Sequence, residues 1–232
     1  MPVYISGSLA YDRIMDFPGR FSDHILPKQI HQLNVSFGLD KLTIEYGGTA
    51  GNIVYNLSLF GEQPYLITQA GNDYTDYAKR LRAEHVRLNF VRAVKQETCS
   101  TGHIITDQAD NQIAAFHFSA MKLPATGDTQ LRRRLAKQLH SGKGLGLLAA
   151  GNLTDMLWLA KTYQTEGIDY IFDPGQQTIW LQPKDITAIL KGAGAMIVND
   201  YELAMICKKL QRTTAQLVKQ LPLLIVTLGS KG

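Results

Sequence analysis

Cysteine is nearly missing. The 232 residues hold two, Cys99 and Cys207, far apart and with no C-x-x-C pair. That excludes a disulfide-stapled scaffold, and two reduced thiols suit a cytoplasmic protein. No run approaches the ~20 apolar residues of a membrane-spanning helix. The opening MPVYISGSLAYDR has no basic segment leading into a long apolar one, so no secretory signal is expected and the sequons at Asn34, Asn56 and Asn152 are incidental. The six histidines are dispersed without H-E-x-x-H, which leaves a zinc site unsupported. G-x-x-x-x-G-K-[ST] and G-x-S-x-G are absent, excluding a P-loop hydrolase and a serine nucleophile elbow. The formal charge of +4 is scattered, and its densest run, Arg132-Arg133-Arg134, has no interleaved aromatics. It reads as a solvated helix face, so neither nucleic acid nor a membrane is expected as partner.

What is present is an ordinary globular balance, 45% hydrophobic and 19% charged, in a chain long enough for one sizeable core. PVYISGSLA reads as an opening strand. QIHQLNVSF and KLTIEY alternate polar and apolar residues, as half-buried strands do. After YGGTAGN, Ile53, Val54, Leu57 and Phe60 recur at helical spacing. QPYLIT reads as a strand and YTDYAKRLRAEH as a helix. TGHIIT and QIAAFHF read as two strands joined by the turn-rich DQADN. Beyond Pro124 helices and strands alternate to the last strand, LLIVTLG. The alternation predicts an α/β fold, a doubly wound, mostly parallel sheet with helices on both faces. Strands from about 13–46 and 98–120 fall outside it and are expected to form a small antiparallel sheet, a lid beside the main one. Ligands of such sheets bind beyond the carboxyl ends of the strands.

Two glycine-rich stretches are decoys. GKGLGLLAAG and GAGAM carry their glycines before an apolar strand, whereas a dinucleotide fingerprint carries them after one. The positive candidates all follow strands. GSLAYD puts Asp12 past the first strand, where a carboxylate accepts hydrogen bonds from paired sugar hydroxyls or caps a turn. The pair Gly47-Gly48 admits close backbone approach, and Asn52 sits in the first turn of the next helix, free to reach a ligand or capping it. FDPGQQ brings out Asp173, Gln176 and Gln177, whose amides suit an adenine edge or stand as exposed loop residues. VNDYE puts Asn199 and Glu202 at a helix start, as holders of hydrated Mg²⁺ or as cap and acidic first turn. VTLGSKG offers Thr227 and Gly229 to phosphates.

In this order the pieces GSLAYD, FPGRFSDHILP, GGTAGN, AGNDYTDY, QIAAF followed by SAM, DPGQQ, NDYE and VTLGSKG resemble the ribokinase-type carbohydrate kinase family, most closely its bacterial adenosine kinases. The resemblance runs from Met1 to Gly232, and GG-x-x-x-N, N-x-x-E and T-x-G-x-x-G together are specific. It implies a ribokinase-like fold and transfer of a phosphoryl group from ATP, with Mg²⁺, to the 5′-hydroxyl of adenosine. A sugar kinase for ribose and a non-catalytic nucleoside-binding module are the alternatives. By resemblance Asp12, Gly48 and Asn52 hold the ribose, Ser8 borders the nucleoside, Phe116 stacks on the base, and Gln176 and Gln177 lie near it. Asn199 and Glu202 order Mg²⁺ and phosphate, and Thr227 and Gly229 touch ATP. YGGTAGN is thus expected to be a sugar clamp and lid hinge rather than a phosphate cradle. The family's G-A-G-D segment, which carries the base aspartate, follows T-x-G-x-x-G. The resemblance implies that the C-terminal catalytic segment lies past Gly232, so no residue here is assigned as the base. Ala195 in GAGAM is not a substitute. A homodimer through the lid is also expected.

Overall fold

β1 (Val3–Ser6) runs through the middle of the molecule, and its successive side chains point to opposite faces. Both faces are buried. Tyr4 joins one core cluster with Ile67, Leu135 and Leu159, and Ile5 joins another with Leu66, Val54 and Leu81. A short strand apolar on both sides is what a parallel sheet between two helix layers requires. The computed structural model describes residues 1–32 and 34–232.

From β1 the chain leaves the main sheet as β2 (Ala10–Asp16) and returns as β3 (Lys41–Gly47). It continues through α1 (Thr49–Leu59), β4 (Tyr65–Ala70), α2 (Thr75–Ala83) and β5 (Arg87–Ala93). A second excursion follows, β6 (Ser100–Thr106) and β7 (Gln112–His117). Then come α3 (Thr129–Leu139), β8 (Leu145–Leu148), α4 (Leu153–Glu166), β9 (Asp169–Phe172) and α5 (Pro183–Leu190). β10 (Ala195–Asn199), α6 (Asp200–Leu210), α7 (Thr214–Gln220) and β11 (Leu223–Thr227) complete the order. The main sheet reads β11-β10-β9-β8-β1-β4-β5, with every pairing parallel. α1 and α2 cover the Ile5 face, and α3 to α7 supply the cluster on the Tyr4 face. β1 lies between β8 and β4, so the winding reverses there, and a ligand crevice is expected at that point.

The second sheet has the order β3-β2-β6-β7 and is mixed rather than antiparallel. β3 pairs antiparallel with β2, and β7 antiparallel with β6, but β2 and β6 run parallel. The reason is topological: Ala10 and Ser100, register partners, both begin strands that leave the rim of the main sheet outward. Asp12 is therefore inside a lid strand rather than in a turn past β1. The lid starts at Ala10, three residues before the expected boundary, and its strands span 10–16, 41–47, 100–106 and 112–117.

QIHQLNVSF forms no strand in its described part. Pro27–Gln32 is a 3₁₀ turn, for which Pro27 presets φ while lacking the N–H that a ladder needs. Leu33, inside that expected strand, lies outside the described residues. Phe37 instead packs on Phe17 and Phe21, with ring centroids 4.8 and 5.2 Å apart. β5 was not visible as a strand in the sequence, because an edge strand with Arg87, Asn89 and Arg92 lacks the apolar run of its neighbours. Phe60, expected on the buried stripe of α1, follows the helix and is exposed, while Ala50, Gly51 and Val54 make the contact.

Candidate functional site

The floor of the crevice is a set of hydrogen bonds between the ends of β1, β8 and α1. The Ser8 N–H donates to the Ala150 carbonyl at 3.0 Å and reaches Thr49 Oγ1 at 3.1 Å. Thr49 Oγ1 donates to the Ala150 carbonyl at 2.6 Å, and the Thr49 N–H donates to Ser8 Oγ at 2.9 Å. The Ser8 carbonyl accepts the Ala50 and Gly51 N–H groups at 3.0 and 3.3 Å. The first-turn donors of α1, which could otherwise hold an anion, are thus all taken within the protein. The hydrogen bonding of this turn argues against a primary phosphate role for YGGTAGN. The side-chain amide of Asn52, on the exposed side of α1, makes no protein hydrogen bond among the described residues.

Gly48 joins β3 to α1 with φ +90° and ψ 144°. A Cβ there would stand 2.6 Å from the Ser8 carbonyl oxygen and 2.7 Å from the Ala10 nitrogen. Only glycine lets the hinge lie this close to the crossing of β1 and β2.

The lid supplies the second wall. Cross-strand register aligns Glu45, Asp12, Gly102 and Phe116 in one row, so Asp12 and Phe116 face the same side with a gap between them. Gly102 is that gap: a Cβ would come 2.7 Å from Asp12 Oδ1 and 3.8 Å from Phe116 Cδ2. No hydrogen bond or ion pair within the protein engages the Asp12 carboxylate among the described residues. Burial pushes its carboxyl above the ordinary value.

The third wall is the turn Gly175–Ile179 after β9. Gln177 is buried and Gln176 exposed, and neither side-chain amide has a protein partner among the described residues. Ser8, Asp12, Gly48, Asn52, Phe116, Gln176 and Gln177, the seven residues expected at the substrate, all line one cavity of about 470 Å³. Thr49, Gly102 and Trp180 line it too and were not singled out from the sequence. Thr49 was legible as the residue after the glycine pair. Gly102 had no signal without strand register, and Trp180 follows DPGQQ by three residues.

The residues expected at the nucleotide do not line that cavity. They lie along the same rim at the ends of β10 and β11, where Asn199 and Thr227 are register partners. Asn199 and Glu202 cap α6 reciprocally: Asn199 Oδ1 accepts the Glu202 N–H at 2.7 Å, and Glu202 Oε2 accepts the Asn199 N–H at 2.9 Å. Burial, and then the nearby Glu202 charge, push the Asp173 carboxyl up to about 6. Thr227, the last residue of β11, and Gly229 beyond it are exposed, Gly229 at φ +59°.

Among the described residues, no helix is long and apolar enough to cross a membrane. The pfkB family carbohydrate kinase model matches residues 14–232. A nucleoside kinase of Methanothermobacter thermautotrophicus is 23% identical over 202 residues, which are 86% of this chain and 63% of that protein. The chain thus spans about 63% of the length of that curated relative. The structure of Burkholderia thailandensis nucleoside kinase in complex with ADP-inosine superposes with a TM-score of 0.78 at 32% identity, over 99% of this chain and 70% of that one. The Methanocaldococcus jannaschii nucleoside kinase, at 21% identity and a TM-score of 0.79 over 100% and 71% of the two chains, shares the fold. With the family match running from inside the first lid strand through the last strand, this chain belongs to the pfkB family of carbohydrate kinases.

Proposed function

We propose that the cavity binds a purine nucleoside, adenosine being the expected one, and that its 5′-hydroxyl receives a phosphoryl group from ATP to give AMP, a purine-salvage step. One observation carries the reading: seven residues spread from Ser8 to Gln177 line a single cavity at the switch point, with a carboxylate on its lid wall that has no protein partner among the described residues. Asp12 would accept the paired ribose hydroxyls, and Gly48 and Asn52 would close that clamp. Phe116 would lie on the base, with Gln176 and Gln177 at its edge. The inosine bound by the Burkholderia enzyme supports a purine nucleoside. Free ribose would leave the aromatic wall unfilled, which favours the nucleoside over a sugar. The chemistry asked of the residues is positioning and exclusion of water, because the loose transition state of phosphoryl transfer offers little for covalent catalysis.

Asp173 and Glu202 offer oxygen donors to a hard cation, and their mutual repulsion is what a cation would relieve. Among the described residues, no group of three or more His, Cys, Asp or Glu could hold a metal ion, so a cation here would keep most of its water. The donor set fits Mg²⁺, which when bound would neutralise phosphate charge. Thr227 and Gly229 would meet ATP. Two free thiols and an ATP requirement suit the cytoplasm.

Calorimetry of this chain with adenosine, inosine and ribose, beside labelled-phosphate transfer from ATP, tests the reading. Adenosine is expected to bind at least about fivefold more tightly than ribose, since a stacked base adds ~1–3 kcal/mol. Equal or tighter ribose binding overturns it in favour of a sugar kinase. Nucleoside binding without transfer leaves a non-catalytic binding module.

We also infer a homodimer through the lid. On its outer face Leu42, Met15, Ile105 and Ile113 form one register row across all four strands. Leu42 and Ile44 on this face are more than half exposed. Sedimentation velocity should find a dimer, and Ile44→Glu should make it a monomer with unchanged melting. A wild-type monomer at all concentrations refutes the pairing.

A further inference from the structure

Building on the nucleoside reading above, we propose that Trp180 is a second base-recognition residue, an indole set by Lys209 to stack on the purine from the wall that faces the lid. Trp180 lines the cavity while the residue is 61% exposed. Its backbone, in contrast, is pinned on both sides. Its N–H donates to the Gln177 carbonyl at 2.9 Å, and the Leu181 N–H donates to the same oxygen at 3.0 Å. Lys209 reaches across from α6, and its Nζ donates to the Ile179 carbonyl at 2.7 Å and the Leu181 carbonyl at 2.8 Å. These are the residues on either side of Trp180. Leu181 is fully buried in the core and anchors the turn from below.

The packing of the fold accounts for less than half of this indole, because most of the residue's surface stays exposed. Recognition accounts for the rest. A large aromatic face on a fixed backbone has two side-chain torsions to order, so it binds at low entropic cost. The lid contributes Phe116 and the turn after β9 contributes Trp180, so the two aromatics come from different walls of one crevice. A flat π-face between them fits a purine, and a free pentose has no such face. Lys209 is a positioning residue: among the described residues its Nζ donates to the two carbonyls that flank Trp180.

Tryptophan fluorescence tests this. The other indole, Trp158, lies under Arg132 at 5.3 Å and does not line the cavity, so quenching at the site reports Trp180. Titration with adenosine or inosine is expected to quench, and ribose is expected not to. Trp180→Phe should remove the quench and keep nucleoside affinity within about threefold, since any aromatic can stack. Trp180→Ala should weaken nucleoside binding about fivefold or more and leave ribose binding unchanged. Lys209→Met should weaken the nucleoside by a smaller factor, with Lys209→Arg restoring it, and melting curves should show each variant folded. Full nucleoside affinity in Trp180→Ala overturns the role of Trp180 and leaves the nucleoside reading standing. Equal losses for nucleoside and ribose also overturn it, because that would be collapse of the site rather than base recognition. An unmodified chain that binds no nucleoside overturns both.

Discussion

Asp12→Asn is expected to weaken nucleoside binding by on the order of 10²-fold while the fold becomes no less stable. The loss follows from the acceptor. A hydrogen bond to a charged group contributes ~1.5–3 kcal/mol net, and two vicinal hydroxyls would meet the two carboxylate oxygens. Losing the charge, with one acceptor kept on the amide, costs about 3 kcal/mol, or about two decades of affinity. The stability side has the opposite sign. The Asp12 carboxyl is raised by burial and has no partner among the described residues, so the native state favours its neutral form. A raised carboxyl contributes stability that is complete below the unfolded value of ~3.9 and is lost as pH rises through the folded value. At neutral pH the charged Asp12 is therefore a cost, which Asn removes. Calorimetry should show nucleoside affinity falling as pH drops through the Asp12 range, because binding needs the carboxylate. Thermal melting should show Asp12→Asn at or above wild type near pH 7 and level with it near pH 4. A melting point lowered at pH 7 with affinity intact would mean that Asp12 is a structural residue and no part of a sugar clamp.

How much of this was readable beforehand follows from what each feature depends on. The doubly wound sheet was legible because apolar strands and amphipathic helices alternate regularly after Pro124, and local pattern suffices there. Gly48, Asn52, Gln176 and Gln177 were legible because they follow strands, and the strand ends of a parallel sheet share a rim, whereas Ser8 and Phe116 came from the family resemblance. Register was not legible. Nothing in GSLAYD says that Asp12 lies inside a lid strand opposite Gly102, since that pairing joins residues on separate excursions from the sheet. For the same reason the lid was expected to be antiparallel, and the parallel pairing of β2 with β6 was not foreseen. Pro27 misled in a different way, with alternation in QIHQLNVSF outweighing a residue that favours a turn. Asn199 and Glu202 carried two readings in the sequence, and the reciprocal cap is present in the structure. The cap occupies Asn199 Oδ1 and Glu202 Oε2, so the cation proposed above would have the other Glu202 oxygen and Asp173 as its donors.

Gly48→Ala is expected to destabilise the chain strongly. Two costs add at this position. An L-residue at φ +90° loses ~1–2 kcal/mol against glycine. The added Cβ would also meet the Ser8 carbonyl oxygen at 2.6 Å, the Ala10 nitrogen at 2.7 Å and the Leu9 Cα at 2.8 Å. All three are backbone atoms, so no rotamer change relieves them, and overpacking adds ~1–3 kcal/mol. The total, about 2–5 kcal/mol, is a large share of the ~5–15 kcal/mol that holds a domain together. Gly61→Ala separates the two costs. Gly61 also has positive φ, +83°, but its Cβ position is open, with no heavy atom within 4 Å. Urea unfolding should therefore give a loss for Gly48→Ala at least about twice that for Gly61→Ala. Nucleoside affinity should fall only in Gly48→Ala, because relief of the clash must move Ser8 or Ala10, and these lead to the Ser8–Thr49 lock and to Asp12. Equal destabilisation by the two variants would mean that the close approach of the hinge to the β1–β2 crossing is not part of what positions the lid.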